Sequence, residues 1–334
     1  MNSRQPIIAI VGATGLVGSE MLSVLEERNM PVESVRLLAS KDSAGEVYKF
    51  RDTEAVVEEL NEGSFEGVDY ALFATSTELS TKFAPIAVKA GATVVDNSSA
   101  FRLQDDVPLV VPEINGDSIA EQTKLIANPN CSTIQLVAVL HSINLVAGLK
   151  RVVVSTYQSV SGAGRDGLDE LWSQTLSICN QSQMPQGVFP HQIAFNCIPQ
   201  IDSIYEDGYT GEELKVINES KKILALPDLS ITATAVRVPV FYGHAESVTI
   251  ETEREFSMEN IREALKGAEG IELAESHSEY PMQVSSGGSD AIAVGRLRRD
   301  RSVENGLALW IVADNVRKGA ALNAIQIVER LISR

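Results

Sequence analysis

The feature that most constrains the fold is a glycine-bearing turn between a short apolar run and a helical pattern. Residues 7–11 read I-I-A-I-V, residues 12–18 read G-A-T-G-L-V-G, and apolar side chains at helical spacing continue to Arg28. Glycines permit a tight turn and close approach of the backbone to a phosphate, and free N–H groups at a helix start bind anions. The order predicts a dinucleotide-binding unit; a purely structural strand-to-helix turn is the alternative.

The first half of the chain continues this alternation. Short β-rich runs at 35–39, 70–74, 93–96 and 109–111 have helical patterns between some of them, which predicts a parallel, doubly wound sheet. Ser40 and Lys41 follow the second run, where NAD-specific folds usually carry an acid for the ribose, and they suit the 2′-phosphate of NADP. Asp42 beside them leaves dual cofactor use open, and a merely polar loop is the alternative.

A second ligand-binding segment is predicted after the run at 93–96. It reads N-S-S-A-F-R and ends in Arg102. Open α/β sheets bind ligands beyond the carboxyl ends of their strands, and an arginine can bind a phosphate or carboxylate with two donors. An arginine in a surface loop is the alternative.

The second half of the chain is predicted to form a mixed domain, after which the chain returns to the first domain. Strands are predicted at 151–157, 231–241, 247–251 and 307–313, helices near 212–226 and 317–332, and a long irregular connection over 180–211. The layout predicts an α/β protein in which a nucleotide domain is closed by the C-terminal helix, with a substrate domain inserted between.

Composition narrows the class of partner. The net charge of −17 argues against nucleic acid as a ligand, and no apolar run approaches the ~20 residues that span a bilayer. The N-terminus lacks the basic region of a signal peptide. Three cysteines, Cys131, Cys179 and Cys197, are too few for a disulfide framework and suit a reducing cytoplasm. The last two are expected to be packing residues.

One cysteine stands where a nucleophile is favoured. Cys131 lies in the run A-N-P-N-C-S-T at 127–133, where a strand is predicted to end and a helix to begin. Helix N–H groups and the helix dipole favour the thiolate, which is the reactive form. Gln158 lies past a strand end beside a glycine turn, where an amide can orient a carbonyl group.

The run R-V-P-V-F-Y-G-H supplies the other candidates. Arg237 is a charge in an apolar strand, which favours an anionic partner, either a ligand or a structural ion pair. His244 follows a glycine and can act as acid or base, although a structural histidine at a strand edge is the alternative. Glu213 and Lys215 lie on a charged helix whose side chains can simply face solvent. No Cys/His cluster has the spacing of a metal site.

The motifs G-A-T-G-L-V-G, N-P-N-C-S-T, S-T-Y-Q-S-V-S-G-A-G, R-V-P-V-F-Y-G-H and A-D-N-V-R-K-G-A-A, in this order, resemble the aspartate-β-semialdehyde dehydrogenase family along nearly the whole chain. The resemblance implies a Rossmann-like parallel-sheet domain at residues 1–130 and 314–334 with an inserted α+β substrate and dimerisation domain at 131–313. It also implies a homodimer or a dimer-based tetramer. Many family members carry an arginine where Asp42 stands.

The resemblance also implies roles for individual residues. Cys131 would be the nucleophile, His244 the acid/base and Gln158 the residue that orients the acyl group. The expected substrate-binding residues are Arg237, Glu213, Arg102, Lys215 and Asn130. The expected NADP-binding residues are Gly12, Thr14, Gly15, Leu16, Val17, Ser40, Lys41, Ser43, Ser161, Gly162 and Asn315.

The implied reaction is the reversible, NADPH-dependent conversion of L-4-aspartyl phosphate to L-aspartate 4-semialdehyde through a cysteine thioester. It would serve lysine, threonine, methionine and diaminopimelate synthesis in the cytoplasm, with no metal, nucleic acid or membrane partner. Two alternatives remain. One is N-acetyl-γ-glutamyl-phosphate reductase, which shares the fold and the thioester chemistry. The other is a catalytically silent, cofactor-binding paralogue that acts through protein contacts.

Overall fold

The computed structural model describes residues 4–185 and 187–333, which divide into two compact units. The first unit comprises residues 4–130 and 320–333, and the second comprises residues 131–319. The chain was expected to return to the first unit at residue 314, but the second unit extends to Gly319. The reason is that Asp314 accepts a hydrogen bond from the Gly288 N–H and Asn315 accepts one from the Ser159 hydroxyl. Residues 1–3 and 334 of the expected first domain lie outside the described residues.

The secondary-structure elements are numbered in chain order. The strands are β1 Ile7–Val11, β2 Ser34–Ala39, β3 Val47–Phe50, β4 Thr53–Glu59, β5 Tyr70–Phe73, β6 Thr93–Asp96, β7 Leu125–Ala127, β8 Leu149–Gln158, β9 Ser230–Arg237, β10 His244–Thr252, β11 Ile271–Leu273, β12 Ile292–Asp300 and β13 Gly306–Ala313. The helices are α1 Leu16–Glu27, α2 Thr77–Lys89, α3 Pro112–Asn115, α4 Cys131–Ala147, α5 Gly164–Cys179, α6 Gly211–Leu224, α7 Met258–Lys266 and α8 Leu322–Ile332.

The first unit is built on a seven-stranded sheet in the order β3-β4-β2-β1-β5-β6-β7. All neighbouring strands are parallel except the β3–β4 hairpin. Its apolar core joins one sheet face to α1 and α8 through side chains such as Ile10, Leu25 and Ile325. The run at 109–111, expected to be a strand, contributes only an isolated bridge from Leu109 to Ala127, because the helix α3 begins at Pro112.

The glycine turn after β1 has the geometry that its sequence predicts. Gly12 has φ +82°, and a Cβ there would lie 2.2 Å from the Ala74 carbonyl oxygen. A Cβ on Gly18 would lie 2.1 Å from the Gly12 carbonyl oxygen, so the helix α1 packs directly on the turn. Both positions therefore exclude any side chain.

The second unit is built on a mixed six-stranded sheet in the order β11-β12-β13-β10-β8-β9. The helix α4 packs against β8, β10 and β13 and against the helices α6 and α7. The α/β fold, with a Rossmann-like parallel-sheet domain and a second, mixed domain, is the one predicted from the sequence. Among the helices in the described part of the chain, none is both long and apolar enough to cross a bilayer.

Candidate active site

Three predicted site residues meet at one edge of the second unit's sheet. Strand β8 runs parallel to β9 and antiparallel to β10, so the ends of β8 and β9 lie beside the start of β10. The register pairs Gln158 with both His244 and Arg237. The sheet therefore presents an amide, an imidazole and a guanidinium side by side, from chain segments far apart in sequence.

The tautomer of His244 follows from its contacts. Its Nδ1 lies 3.1 Å from the backbone nitrogen of Ser159, which can only donate. The ring proton of the neutral imidazole is therefore on Nε2. The side chain is fully buried, and this burial, helped by the charge of Arg237, lowers the pKa of His244 to about 3 while Glu212 opposes the shift. Without substrate, His244 is neutral near pH 7.

The side chain of Gln158 is held from both ends. Its Oε1 accepts a hydrogen bond of 3.0 Å from the Thr156 hydroxyl, and its Nε2 donates one of 3.0 Å to Glu212 Oε1. The same Nε2 lies 3.4 Å from His244 Nε2. Because both nitrogens carry protons, the two groups form a pair of donors that suits a carbonyl oxygen or an oxyanion.

Arg237 is a buried cation at the end of β9. Its Nη1 donates a hydrogen bond of 2.7 Å to the Ser159 carbonyl oxygen, and its guanidinium carbon lies 5.8 Å from the centre of the Phe189 ring. Burial lowers the pKa of Arg237, and electrostatic interactions with Glu212 and Cys131 oppose that shift. This electrostatic interaction places the nucleophile candidate within the field of the cation.

The carboxylate at the site is Glu212 and not Glu213. Glu213 accepts hydrogen bonds from the backbone nitrogens of Thr210 at 2.7 Å and Ala235 at 2.9 Å, so one oxygen stabilises the start of α6 and the other joins the helix to β9. Glu212 is buried and contacts Gln158 and Lys215. The expectation that Glu213 binds substrate is therefore corrected. The pattern T-x-x-E at 210–213 is a capping-box signature, and it identifies Glu213 as the capping acid.

Lys215 lies at the outer side of this cluster. Its Nζ donates to Asp202 Oδ2 at 2.9 Å and to Glu212 Oε2 at 3.3 Å. Phosphate binding by this partly exposed ammonium group stays a prediction.

A buried hydroxyl and amide network supports the histidine. Asn315 Oδ1 accepts hydrogen bonds from the Ser159 and Ser161 hydroxyls, each at 3.1 Å, and from the Gly243 N–H at 3.0 Å. The Ser159 hydroxyl also lies 3.1 Å from His244 Nδ1. Ser161 and Asn315 were expected to contact the dinucleotide; the structure shows them as supports of the loop beneath His244. Their contact with the cofactor stays a prediction.

Two glycines leave room around the reactive side chains. A Cβ on Gly162 would lie 2.8 Å from Arg237 Nη1 and 3.4 Å from His244 Nε2. A Cβ on Gly319 would lie 2.9 Å from the Cβ of Cys131. Helix α4 begins at Cys131, as predicted, so the thiol lies at the positive end of the helix dipole. Gly319 lies in the motif A-D-N-V-R-K-G-A-A, but the sequence did not assign it to the site.

The first unit has its own cleft at the glycine turn. A cavity of about 310 Å³ is lined by residues from the ends of β1, β2, β4 and β5, among them Gly12, Thr14, Ser40, Lys41 and Glu59. The Thr14 hydroxyl donates to the Ser43 hydroxyl at 3.4 Å. Gly15 is the residue from which α1 starts, and Leu16 and Val17 form its first turn. This arrangement of backbone N–H groups fits a dinucleotide phosphate.

The two remaining predicted residues of the first unit, Arg102 and Asn130, are buried. Arg102 donates through Nη2 to the Asn97 carbonyl oxygen at 2.6 Å, beyond the end of β6, and Asn130 immediately precedes Cys131 in the chain. Within the described residues, no group of three His, Cys, Asp or Glu side chains is arranged to hold a metal ion. Cys179 and Cys197, expected to be packing residues, are exposed.

Comparison with known proteins gives one consistent result. The family described as "Semialdehyde dehydrogenase, NAD binding domain" matches residues 7–122, and "Semialdehyde dehydrogenase, dimerisation domain" matches residues 140–318. Aspartate-semialdehyde dehydrogenase of Aquifex aeolicus is 52% identical over 97% of both chains, and that of Bacillus subtilis is 48% identical over 97% of this chain and 96% of the relative.

A solved structure agrees with these relatives. The crystal structure of aspartate semialdehyde dehydrogenase II from Vibrio cholerae, complexed with ASA, has a TM-score of 0.97 and 48% identity over 99% of each chain. The sequence identity, the order of the two domains and the fold lead to the same conclusion. The chain belongs to the aspartate-semialdehyde dehydrogenase family.

Proposed function

We propose that this chain converts L-4-aspartyl phosphate reversibly to L-aspartate 4-semialdehyde with NADPH, through a thioester on Cys131, as a step of lysine, threonine, methionine and diaminopimelate synthesis. The observation that carries the proposal is the register of the second unit's sheet. It places Gln158 beside His244 and beside Arg237, whose charge interacts with that of Cys131.

The first chemical step forms the thioester. The Cys131 thiolate, stabilised by the helix N–H groups and by Arg237, attacks the acyl carbon; the new C–S bond forms and the C–O bond to phosphate breaks. The carbonyl oxygen lies against the two donors, Gln158 Nε2 and His244 Nε2, which stabilise the negative charge that develops on it.

The second step reduces the thioester. A dihydronicotinamide, when bound, would supply the hydride that reduces the acyl carbon. As the resulting hemithioacetal anion collapses, the C–S bond breaks, the aldehyde forms and the sulfur leaves as the thiolate, to which a protonated His244 would supply a proton. The positive charge of Arg237 helps to lower the pKa of His244. A substrate carboxylate bound to Arg237 neutralises this charge and adds a negative charge near the imidazole. Substrate binding thus raises the pKa of His244 toward the range useful for acid/base chemistry.

The polar groups divide between the two ends of the substrate. We assign the α-carboxylate to Arg237 and the amino group to Glu212, the buried acid that faces the site. Lys215 is assigned to the phosphate end, and phosphate binding by Arg102 and Asn130 stays a prediction. A carboxylate for the amino group discriminates against the N-acetylated substrate of the alternative reductase, because an acetylated nitrogen carries no positive charge. The relatives do not favour that alternative either.

We assign NADP as the dinucleotide that the first unit binds. Ser40 and Lys41 line the cleft at the end of β2, and Lys41 provides the positive charge that a 2′-phosphate needs. Glu59 lines the same cleft and favours the ribose diol of NAD, so the preference for NADP over NAD depends on Lys41. Substitution Lys41→Ala is expected to raise KM for NADPH at least tenfold with little change for NADH, as loss of a charge-assisted contact of about 1.5–3 kcal/mol implies. Equal effects on both cofactors would refute the assignment.

We also propose a homodimer formed through the dimerisation domain and a cytoplasmic location. The described residues contain no disulfide, which supports a reducing compartment. Sedimentation equilibrium across a range of concentrations tests the dimer; a monomer at micromolar concentration would contradict it.

A steady-state assay tests the activity itself. Aspartate 4-semialdehyde, phosphate and NADP⁺ are expected to give NADPH, and Cys131→Ser is expected to abolish the signal, while Cys179→Ser, at an exposed thiol, leaves it unchanged. A higher kcat/KM with N-acetylglutamate 5-semialdehyde would favour the alternative reductase. Absence of turnover with either semialdehyde in a folded, dinucleotide-binding sample would favour the silent paralogue.

A further inference from the structure

A buried acid stands two residues after the catalytic histidine. Glu246 lies on β10, on the same face as His244, with its side chain fully buried. Neither carboxyl oxygen has a hydrogen-bond partner among the described residues. An ionised carboxylate in this position would lack both water and a counter-charge, which costs several kcal/mol. Burial accordingly raises the pKa of Glu246 well above its ordinary value, and the neighbouring Gln135 amide opposes the shift only in part.

A second unsatisfied group lies beside this acid. Gln135, also fully buried, lies on α4 four residues after Cys131, which is about one helical turn along the same face. Its Nε2 donates to the His244 carbonyl oxygen at 3.4 Å, and its Oε1 has no partner within the described residues. The orphaned atoms are thus an amide oxygen, which accepts, and a carboxyl group, which can donate only when it is protonated.

A single proton on Glu246 would give the Gln135 side-chain oxygen a donor and would remove the charge of the buried carboxylate. If a neutral Glu246 donates to Gln135 Oε1, the Gln135 amide forms two hydrogen bonds to β10. Its nitrogen bonds to the main chain of His244, and its oxygen bonds to the side chain of Glu246. The nucleophile helix would then be tied to the histidine strand at two points. A neutral acid also adds no negative charge near the Cys131 thiolate, whereas a carboxylate would disfavour that thiolate.

We propose that Glu246 stays protonated through the reaction and donates its O–H to the Gln135 side-chain oxygen, so that this acid–amide pair holds the Cys131 helix in register with the His244 strand. Glu246 is in this account a positioning residue. It touches neither substrate nor cofactor, and its role rests on the functions proposed above for Cys131 and His244.

Three substitutions test the role in catalysis. Glu246→Gln keeps a donor and the shape, and is expected to hold kcat within about twofold. Glu246→Met removes the donor and is expected to lower kcat roughly 10- to 100-fold at nearly unchanged KM, because displacements of the order of 1 Å between reacting groups have that effect. The double variant Gln135→Met with Glu246→Met removes both polar groups, so its urea midpoint is expected to recover toward the original value while kcat stays low.

The protonation state has its own readout. The infrared spectrum of the protein near neutral pH is expected to contain a carboxylic-acid C=O band that is absent in Glu246→Gln. This measurement needs no turnover and no stable Met variant, so it stands even if the proposed function fails. A Glu246→Met enzyme with unchanged kcat, a double variant that recovers kcat, or the absence of the band would each overturn the proposal.

Discussion

The burial of His244 predicts a specific dependence of stability on pH. Its pKa is about 3 in the folded chain and 6.5 as the ordinary value, because burial and Arg237 disfavour the imidazolium. Between these two values the unfolded chain binds a proton that the native chain does not. The stabilisation that His244 provides is therefore complete above about pH 6.5 and is lost as the pH falls toward 3.

The size of the effect follows from the same two values. Each pH unit below 6.5 removes about 1.4 kcal/mol, so a shift from about pH 7.5 to about pH 5 is expected to cost ~2 kcal/mol through this residue alone. Substitution His244→Gln removes the titrating group and with it this part of the pH dependence.

Urea unfolding at both pH values measures the difference. The original chain is expected to lose ~2 kcal/mol more than His244→Gln between about pH 7.5 and about pH 5. His277→Gln, at an exposed histidine, serves as the matched control and is expected to behave like the original chain. Parallel pH dependences for the original chain and His244→Gln would refute the claim that the native histidine is held neutral by burial.

Two further predictions concern residues that the structure added or reassigned. Gly319→Ala would place a Cβ 2.9 Å from the Cys131 Cβ and is expected to lower kcat roughly 10- to 100-fold and to lower the free energy of unfolding by about 1–3 kcal/mol. Gly287→Ala, with no atom within 4 Å of the added Cβ, is expected to be neutral. Equal kcat for both variants would contradict this prediction. Glu213→Gln is expected to lower the free energy of unfolding by about 1–3 kcal/mol with the substrate KM nearly unchanged. Glu212→Gln is expected to raise the substrate KM. The reverse pattern would show that Glu213 and not Glu212 binds the substrate.

Several strands of the first unit can be predicted from the sequence because these parallel strands are buried on both faces. Such strands appear as continuous apolar runs, like those at β1, β5 and β6. The β3–β4 hairpin and β12 were missed because charged and polar residues interrupt them, as in T-E-A-V-V-E-E and R-L-R-R-D. Their pairing partners, not their composition, make them strands.

The sequence predicts the positions of individual candidate residues but not their arrangement. The position of Cys131 at a helix start follows from local signals, and the structure agrees. The pairing of Gln158 with His244 joins residues 86 apart in sequence, and no local pattern reports such a register. The resemblance implies Glu213 as a substrate ligand, whereas the capping box that begins at Thr210 indicates a structural role for this acid; the adjacent Glu212 and Glu213 point in different directions because the helix turns between them.

The most direct test of the account is to trap the acyl enzyme. The protein is mixed with freshly prepared 4-aspartyl phosphate in the absence of any reduced dinucleotide, quenched in acid and digested for mass spectrometry. An aspartyl adduct is expected on the peptide that contains Cys131, with release of phosphate, and none is expected on the exposed Cys179 or Cys197. An unmodified Cys131 in a sample that turns over normally when NADPH is added would contradict covalent catalysis by this residue.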